Sequence, residues 1–119
     1  MQSHLDGHKT FDHKELTEFL RSVVGLGFRL MITELDVNDV ELRGNETERD
    51  AAVARHAAEY LDIVYSVARP LSVSTWGLCD RYTWMRQYFK RPDGKPLRPL
   101  PLDTDLNRKP LWSVLAKYI

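Results

Sequence analysis

The sequence predicts an α/β fold with parallel strands, and two observations carry that prediction. Short runs rich in apolar and β-branched residues alternate with amphipathic helical patterns. Acidic and polar side chains gather where those runs end, which is where parallel sheets place their reactive groups. A third observation limits the prediction. Only two full strands and a stub are legible in 119 residues, too few for a parallel sheet covered on both faces, so the chain reads as part of something larger.

Each element has its own signal. Met1 to Leu5 reads as the end of a strand, and Asp6 to Thr10 as a polar loop. Asp12 and Glu15 form an Asp-x-x-Glu helix start, and Leu16, Phe19, Leu20, Val23 and Val24 follow at helical spacing. Gly25 and Gly27 supply the stop. Phe28 to Val37 reads as a strand whose first half is apolar and whose second half is acidic. Asn38 to Asn45 is polar and loop-like. A helix then runs from about Glu46 to Ala68, with Val53, Ala57, Tyr60, Leu61, Val64 and Val67 on one stripe, and Pro70 ends it. Leu71 to Leu78 reads as the next strand. Asp80 to Asp105 reads as a long wrapping or functional loop, and Pro110 opens a last helix.

Composition excludes several classes. Lys plus Arg and Asp plus Glu both number 17, so the formal net charge is zero, and no bulk charge drives binding to nucleic acid or a membrane surface. One cysteine, Cys79, allows no intramolecular disulfide, and it reads as a small buried residue. No apolar run is long enough for a membrane span, and the first ten residues lack a secretory pattern. His4 and His8 stand four apart, but Gly7 and the strand context argue against a metal pair. Arg86, Lys90, Arg91, Lys95 and Arg98, with Tyr88 and Phe89, form a basic aromatic stretch that reads as a solvated loop rather than a nucleic-acid groove. Asn45-Glu46-Thr47 fits a glycosylation sequon, a pattern common by chance. Trp112 on the last helix reads as core.

Side chains two apart on a strand share a face. Gln2 therefore pairs with His4, and Glu34 with Asp36, and with Trp76 they converge at three strand ends. The segments QSHL (Gln2–Leu5), ITELDV (Ile32–Val37), TWGLCDRYTW (Thr75–Trp84) and PLDTDLNRKPLW (Pro101–Trp112) carry a resemblance across essentially the whole chain. In order and spacing they resemble the C-terminal part of family 10 glycoside hydrolases, endo-1,4-β-xylanases with a (β/α)8 TIM barrel. The ITELD element with the downstream tryptophans is specific; QSHL alone is weak.

The resemblance implies that residues 1–119 are one C-terminal fragment of such a barrel, from the end of strand 6 through helix 8. It implies that Glu34 is the nucleophile of a retaining mechanism, with its carboxylate ionised. It implies that His4 hydrogen-bonds Glu34, that Asp36 orients His4, that Gln2 lines the same subsite, and that Trp76 and Trp84 wall the sugar. The substrate would be xylan or xylo-oligosaccharide, with no metal and no cofactor. One departure stands out. The family's general acid/base lies in an Asn-Glu motif on strand 4, and the only Asn-Glu pair here, Asn45-Glu46, opens a helix instead. The isolated chain is therefore expected to be inactive, and to need the N-terminal barrel half or self-association. The other reading is a non-catalytic assembly or carbohydrate-binding module. Location outside the cytoplasm, extracellular or periplasmic, is expected by family analogy.

Overall fold

Strand β2 (Ile32–Asn38) is the centre of a three-stranded sheet, with β1 (Gln2–Asp6) on one side and β3 (Val73–Thr75) on the other. Both pairings are parallel. The chain order is β1, α1 (His13–Gly25), β2, α2 (Glu46–Val67), β3, two short 3₁₀ turns and α3 (Pro110–Leu115). The computed structural model describes residues 1–118. Parallel neighbours joined through helices are the βαβ units that the sequence predicts.

The helices begin where their caps dictate. The Asp12 carboxylate accepts the Glu15 backbone N–H at 2.9 Å and starts α1. Asn45 and Glu48 form a reciprocal capping box at the start of α2. Asn45 of the sequon thus serves as a cap. The outer face of the sheet packs on α2. Leu35 and Val37 meet Val53, Ala57, Leu61 and Val64 in one buried cluster with Leu20 and Leu111. Each buried Leu or Val of the cluster contributes ~1.5–3 kcal/mol by leaving water. Ser3, on the same face of β1, exchanges a hydrogen bond with the Tyr60 hydroxyl at 2.7 Å.

Three expectations about the strands need correction. β1 is a full five-residue strand rather than a stub. β2 starts at Ile32, not Phe28, because the ladder to β3 begins at Ile32 and the ladder to β1 at Glu34, with an isolated bond from the Leu71 N–H to the Leu30 carbonyl before them; Phe28 and Met31 are exposed. β3 spans three residues rather than Leu71 to Leu78. Its exit turns at Gly77, where φ is +109° and a Cβ would crowd the Leu100 side chain at 3.0 Å, so any other residue would be strained there. Cys79 is buried, as its sequence context suggests. Trp112 is not core: it is half-buried, with the Arg108 guanidinium 4.7 Å from its ring centroid.

The long connection after β3 wraps back over the sheet, and charges hold it. Asp39, just past β2, is fully buried. It accepts from Arg49 Nη1 at 2.9 Å and from the Arg98 backbone N–H at 2.9 Å. Arg98 grips Asp50 with two parallel bonds of 2.8 and 2.7 Å. Arg91 is also buried and donates to the carbonyls of Asp39 and Leu42. Two members of the basic stretch are therefore structural, not solvated. Lys109 Nζ, also buried, reaches Asp80 at 2.9 Å and the carbonyls of Arg98 and Leu100. Burial pushes the Asp80 carboxyl up to about 6, against the pull of Lys109. Replacing Lys109 by Met strands a buried carboxylate. We expect a loss of ~3–5 kcal/mol at neutral pH, read by urea denaturation and smaller at pH 5, where Asp80 takes up a proton.

Candidate active site

The register of β1 on β2 builds the site. Gln2 lies opposite Glu34, and His4 opposite Asp36. The buried residues Ser3, Leu35 and Val37 alternate with these four, so all four project from the inner face.

Three hydrogen bonds join them, and a fourth ties in Trp84. Gln2 Nε2 donates to Glu34 Oε1 at 3.1 Å. His4 Nε2 lies 3.0 Å from Glu34 Oε2, and His4 Nδ1 lies 2.9 Å from Asp36 Oδ1. Trp84 Nε1 donates to Asp36 Oδ2 at 2.8 Å. Each oxygen of Glu34 thus has one partner, and the imidazole is suspended between two carboxylates. The Asp36 side chain is fully buried, whereas that of Glu34 keeps 17% of its surface open to solvent.

Two indoles flank the ring of His4. Trp84 meets it edge-on with centroids 5.2 Å apart, and Trp76 does so at 6.4 Å. Trp76 is about half exposed and leaves β3 at its last paired position, where its N–H bonds the Leu35 carbonyl. Trp84 opens the second 3₁₀ turn, whose cap is the Thr83 hydroxyl.

The electrostatics follow from this packing. Partial burial disfavours a charged His4, but hydrogen bonds and attraction from Asp36 and then Glu34 outweigh it, and the His4 pKa rises above 6.5. Burial also raises the Asp36 pKa, and the N–H groups of Trp84 and His4 offset it only in part. A protonated imidazole bonds both carboxylates at once; a neutral one donates to only one of them.

Among the described residues no group of three or more metal-ligating side chains comes together. His8 lies away from His4 and pairs with Glu41. Asn45-Glu46 is far from any catalytic arrangement: Asn45 caps α2, and Glu46 pairs with Arg98 at 3.3 Å. The hydrogen bond from Trp84 to Asp36 is a feature that sequence reasoning misses. The two residues are 48 apart, and no local pattern links an indole N–H to that carboxylate.

A carboxylate held by an amide and an imidazole, with two indoles against that imidazole, stands on the inner face of a parallel sheet, an arrangement that suits an apolar sugar face. The model of glycosyl hydrolase family 10 matches residues 1–118, and the chain belongs to that family. Endo-1,4-beta-xylanase 2 of Aureobasidium pullulans is 31% identical over 116 residues, covering 95% of this chain and 30% of that protein. Native xylanase 10B from Thermotoga maritima superposes with a TM-score of 0.80 at 25% identity, covering 98% of this chain and 34% of the other. Xylanase 10B from Thermotoga petrophila RKU-1, solved with xylobiose, gives 0.79 at 25% identity, with the same 98% and 34% coverage. The chain therefore spans about a third of the length of these relatives, and its fold is a partial TIM barrel.

The site makes a direct prediction. The His4 ring should titrate above 6.5 in an NMR pH series, and Asp36→Asn should bring its midpoint down. The sign for stability follows. A raised histidine pKa stabilises the fold fully below 6.5, and the gain fades as pH climbs through the folded-state value. A raised aspartate pKa acts the same way, from 3.8 upward. Stability drawn from His4 and Asp36 should therefore fall with rising pH.

Proposed function

We propose that this chain carries the nucleophile side of a retaining endo-1,4-β-xylanase. The observation behind the reading is Glu34, with both oxygens held by Gln2 and His4, and with Trp76 and Trp84 edge-on to the His4 ring. A Glu34 oxygen attacks the anomeric carbon of a xylosyl unit, and the leaving sugar departs with a proton from an acid. The resulting ester is hydrolysed by water. His4 aims the attacking carboxylate, and Asp36 fixes the ring of His4. Gln2 orients the other Glu34 oxygen. The indoles meet the apolar C–H faces of the sugar. Xylan and its oligosaccharides are the substrates we assign, and we place the reaction outside the cytoplasm, where the polymer is.

We further propose that the chain alone is inactive, because the second carboxyl group comes from elsewhere in a complete barrel. The nearby candidates are committed. Asp39 and Asp80 are buried against Arg49 and Lys109, and Asp103 caps its own turn through Asn107. Reducing-end release from xylan should be absent with this chain and appear when a segment carrying the first five strands is added. Turnover by the chain alone would defeat the split-site reading. In the mixture Glu34→Gln should lower turnover by ~10⁴-fold or more; surviving turnover would remove Glu34 from the role.

A second reading, an assembly module, draws on a separate observation. β1 and β3 are both edge strands. Phe19, Leu26, Phe28 and Met31 are exposed, at 55%, 77%, 64% and 45%. An apolar groove of about 180 Å³ also opens between β3 and α3, lined by residues including Val73, Leu78, Trp112 and Leu115. Such surface suits either the rest of the barrel or a second copy. Sedimentation should show mass rising with concentration; a monomer at every concentration would exclude the second copy.

A further inference from the structure

An aromatic run leads away from Trp84. Tyr88 and Phe89 both contact its indole, with centroids 5.5 and 6.2 Å away. Phe89 is also part of the wall of a groove of about 240 Å³, together with Pro96, Leu97, Arg86, Lys90 and Lys95. The turn at Arg91–Gly94 makes this grouping. The Gly94 N–H bonds the Arg91 carbonyl at 3.0 Å, φ at Gly94 is +70°, and Lys90 and Lys95, on either side of the turn, line the same groove.

The five cations of this stretch divide into two sets. Arg91 and Arg98 are spent on Asp93, Asp39, Asp50 and Glu46. Arg86, Lys90 and Lys95 are exposed and have no carboxylate within ion-pair distance among the described residues. Arg86 gives one N–H to the Arg81 carbonyl. Asp93, the nearest acid in sequence, is held by Arg91, which keeps its carboxyl far below the usual range. Three unpaired cations around an apolar concavity concentrate positive potential there.

A neutral sugar chain has no use for that charge. A uronic acid does. Its carboxylate suits a guanidinium fork and ammonium groups, and its ring presents C–H faces to Phe89 and Pro96. Zero net charge and continuity with Trp84 favour this ligand over a nucleic acid. We propose that the groove receives the carboxylate of an acidic side group on the polysaccharide whose backbone runs past Trp84. The proposal rests on the sugar-binding reading of the site and adds the class of decoration it accepts.

The test titrates the 119-residue chain with xylotetraose, with xylotetraose bearing one glucuronosyl group, with inorganic phosphate and with a single-stranded oligonucleotide. NMR follows the Trp84 indole and the Lys90 and Lys95 amides. The acidic sugar should bind about tenfold tighter than the neutral one in low salt and about twofold tighter near 0.5 M salt. The combined Arg86→Gln, Lys90→Gln and Lys95→Gln variant should lose that advantage and keep its affinity for xylotetraose. Lys90→Gln alone should lose part of it. All three side chains are exposed, and circular dichroism checks that the fold is kept. Equal affinity for the two sugars, with the Trp84 indole still shifting, overturns the groove assignment alone. No indole shift with either sugar overturns the sugar-binding reading as well. Phosphate or oligonucleotide shifting the lysine amides more strongly than the acidic sugar makes the groove a general anion site and also overturns the proposal.

Discussion

The carboxylate of Asp36 is shared by three separate parts of the chain. It belongs to β2, it takes one hydrogen bond from His4 on β1, and it takes another from Trp84 in the loop after β3. It is fully buried, so water replaces neither donor if one is lost. Burial makes the charge costly, and the two N–H donors make it tolerable. The position of Glu34 depends on this at one remove, because the ring that holds it is anchored on Asp36. The aromatic wall depends on it directly, since Trp84 is fixed by the same carboxylate. One acid therefore orients both the imidazole that holds Glu34 and the indole of Trp84.

The loop bearing Trp84 would wander without its own anchors. Two clusters provide them. Asp39 with Arg49 and Arg91 pins the loop beyond the end of β2, and Asp50 and Asp80 with Arg98 and Lys109 pin its return toward α3. These buried charges are a poor source of net stability, because desolvation consumes much of their attraction. Arg49 illustrates the cost. It is fully buried, and its Nε and Nη2 have no hydrogen-bond partner among the described residues. Their effect is to make displacement of the loop expensive, since each broken pair leaves an uncompensated charge in the interior. A long connection with little regular structure is thereby held in one shape over the site.

Much of this was legible because strands have a period of two. Gln2 with His4, and Glu34 with Asp36, share faces by spacing alone, and parallel pairing brings the two faces together. Helix α2 was legible from its stripe and its proline stop. Strand ends were not. The run from Phe28 to Met31 has the composition of a strand, but a strand exists only where a neighbour supplies a continuous ladder rather than an isolated bond such as that from Leu71 to Leu30, and composition does not carry that. The anchoring pairs were equally hidden. Lys109 is 29 residues from Asp80, and the Arg98 N–H is 59 from Asp39, so no local pattern joins them. Trp112 looked like core because an apolar stripe on a short helix does not say which part of it a neighbour covers.

Three strands suffice here because the two faces of the sheet have different needs. The outer face is apolar and is covered by α2, which in turn carries α1 and α3. The inner face carries Gln2, His4 and Glu34, polar groups that water can solvate while they bond one another. A parallel sheet is ordinarily buried on both sides because both are apolar. In a catalytic barrel the strand ends are the exception, since the site itself must be wet enough to admit substrate. What stays unsatisfied is at the edges, where β1 and β3 each present a free row of backbone groups beside exposed apolar side chains. The uncovered groups therefore lie at the edges and the helix flanks, while the hydrogen bonds among Gln2, Glu34, His4 and Asp36 are all made within this chain.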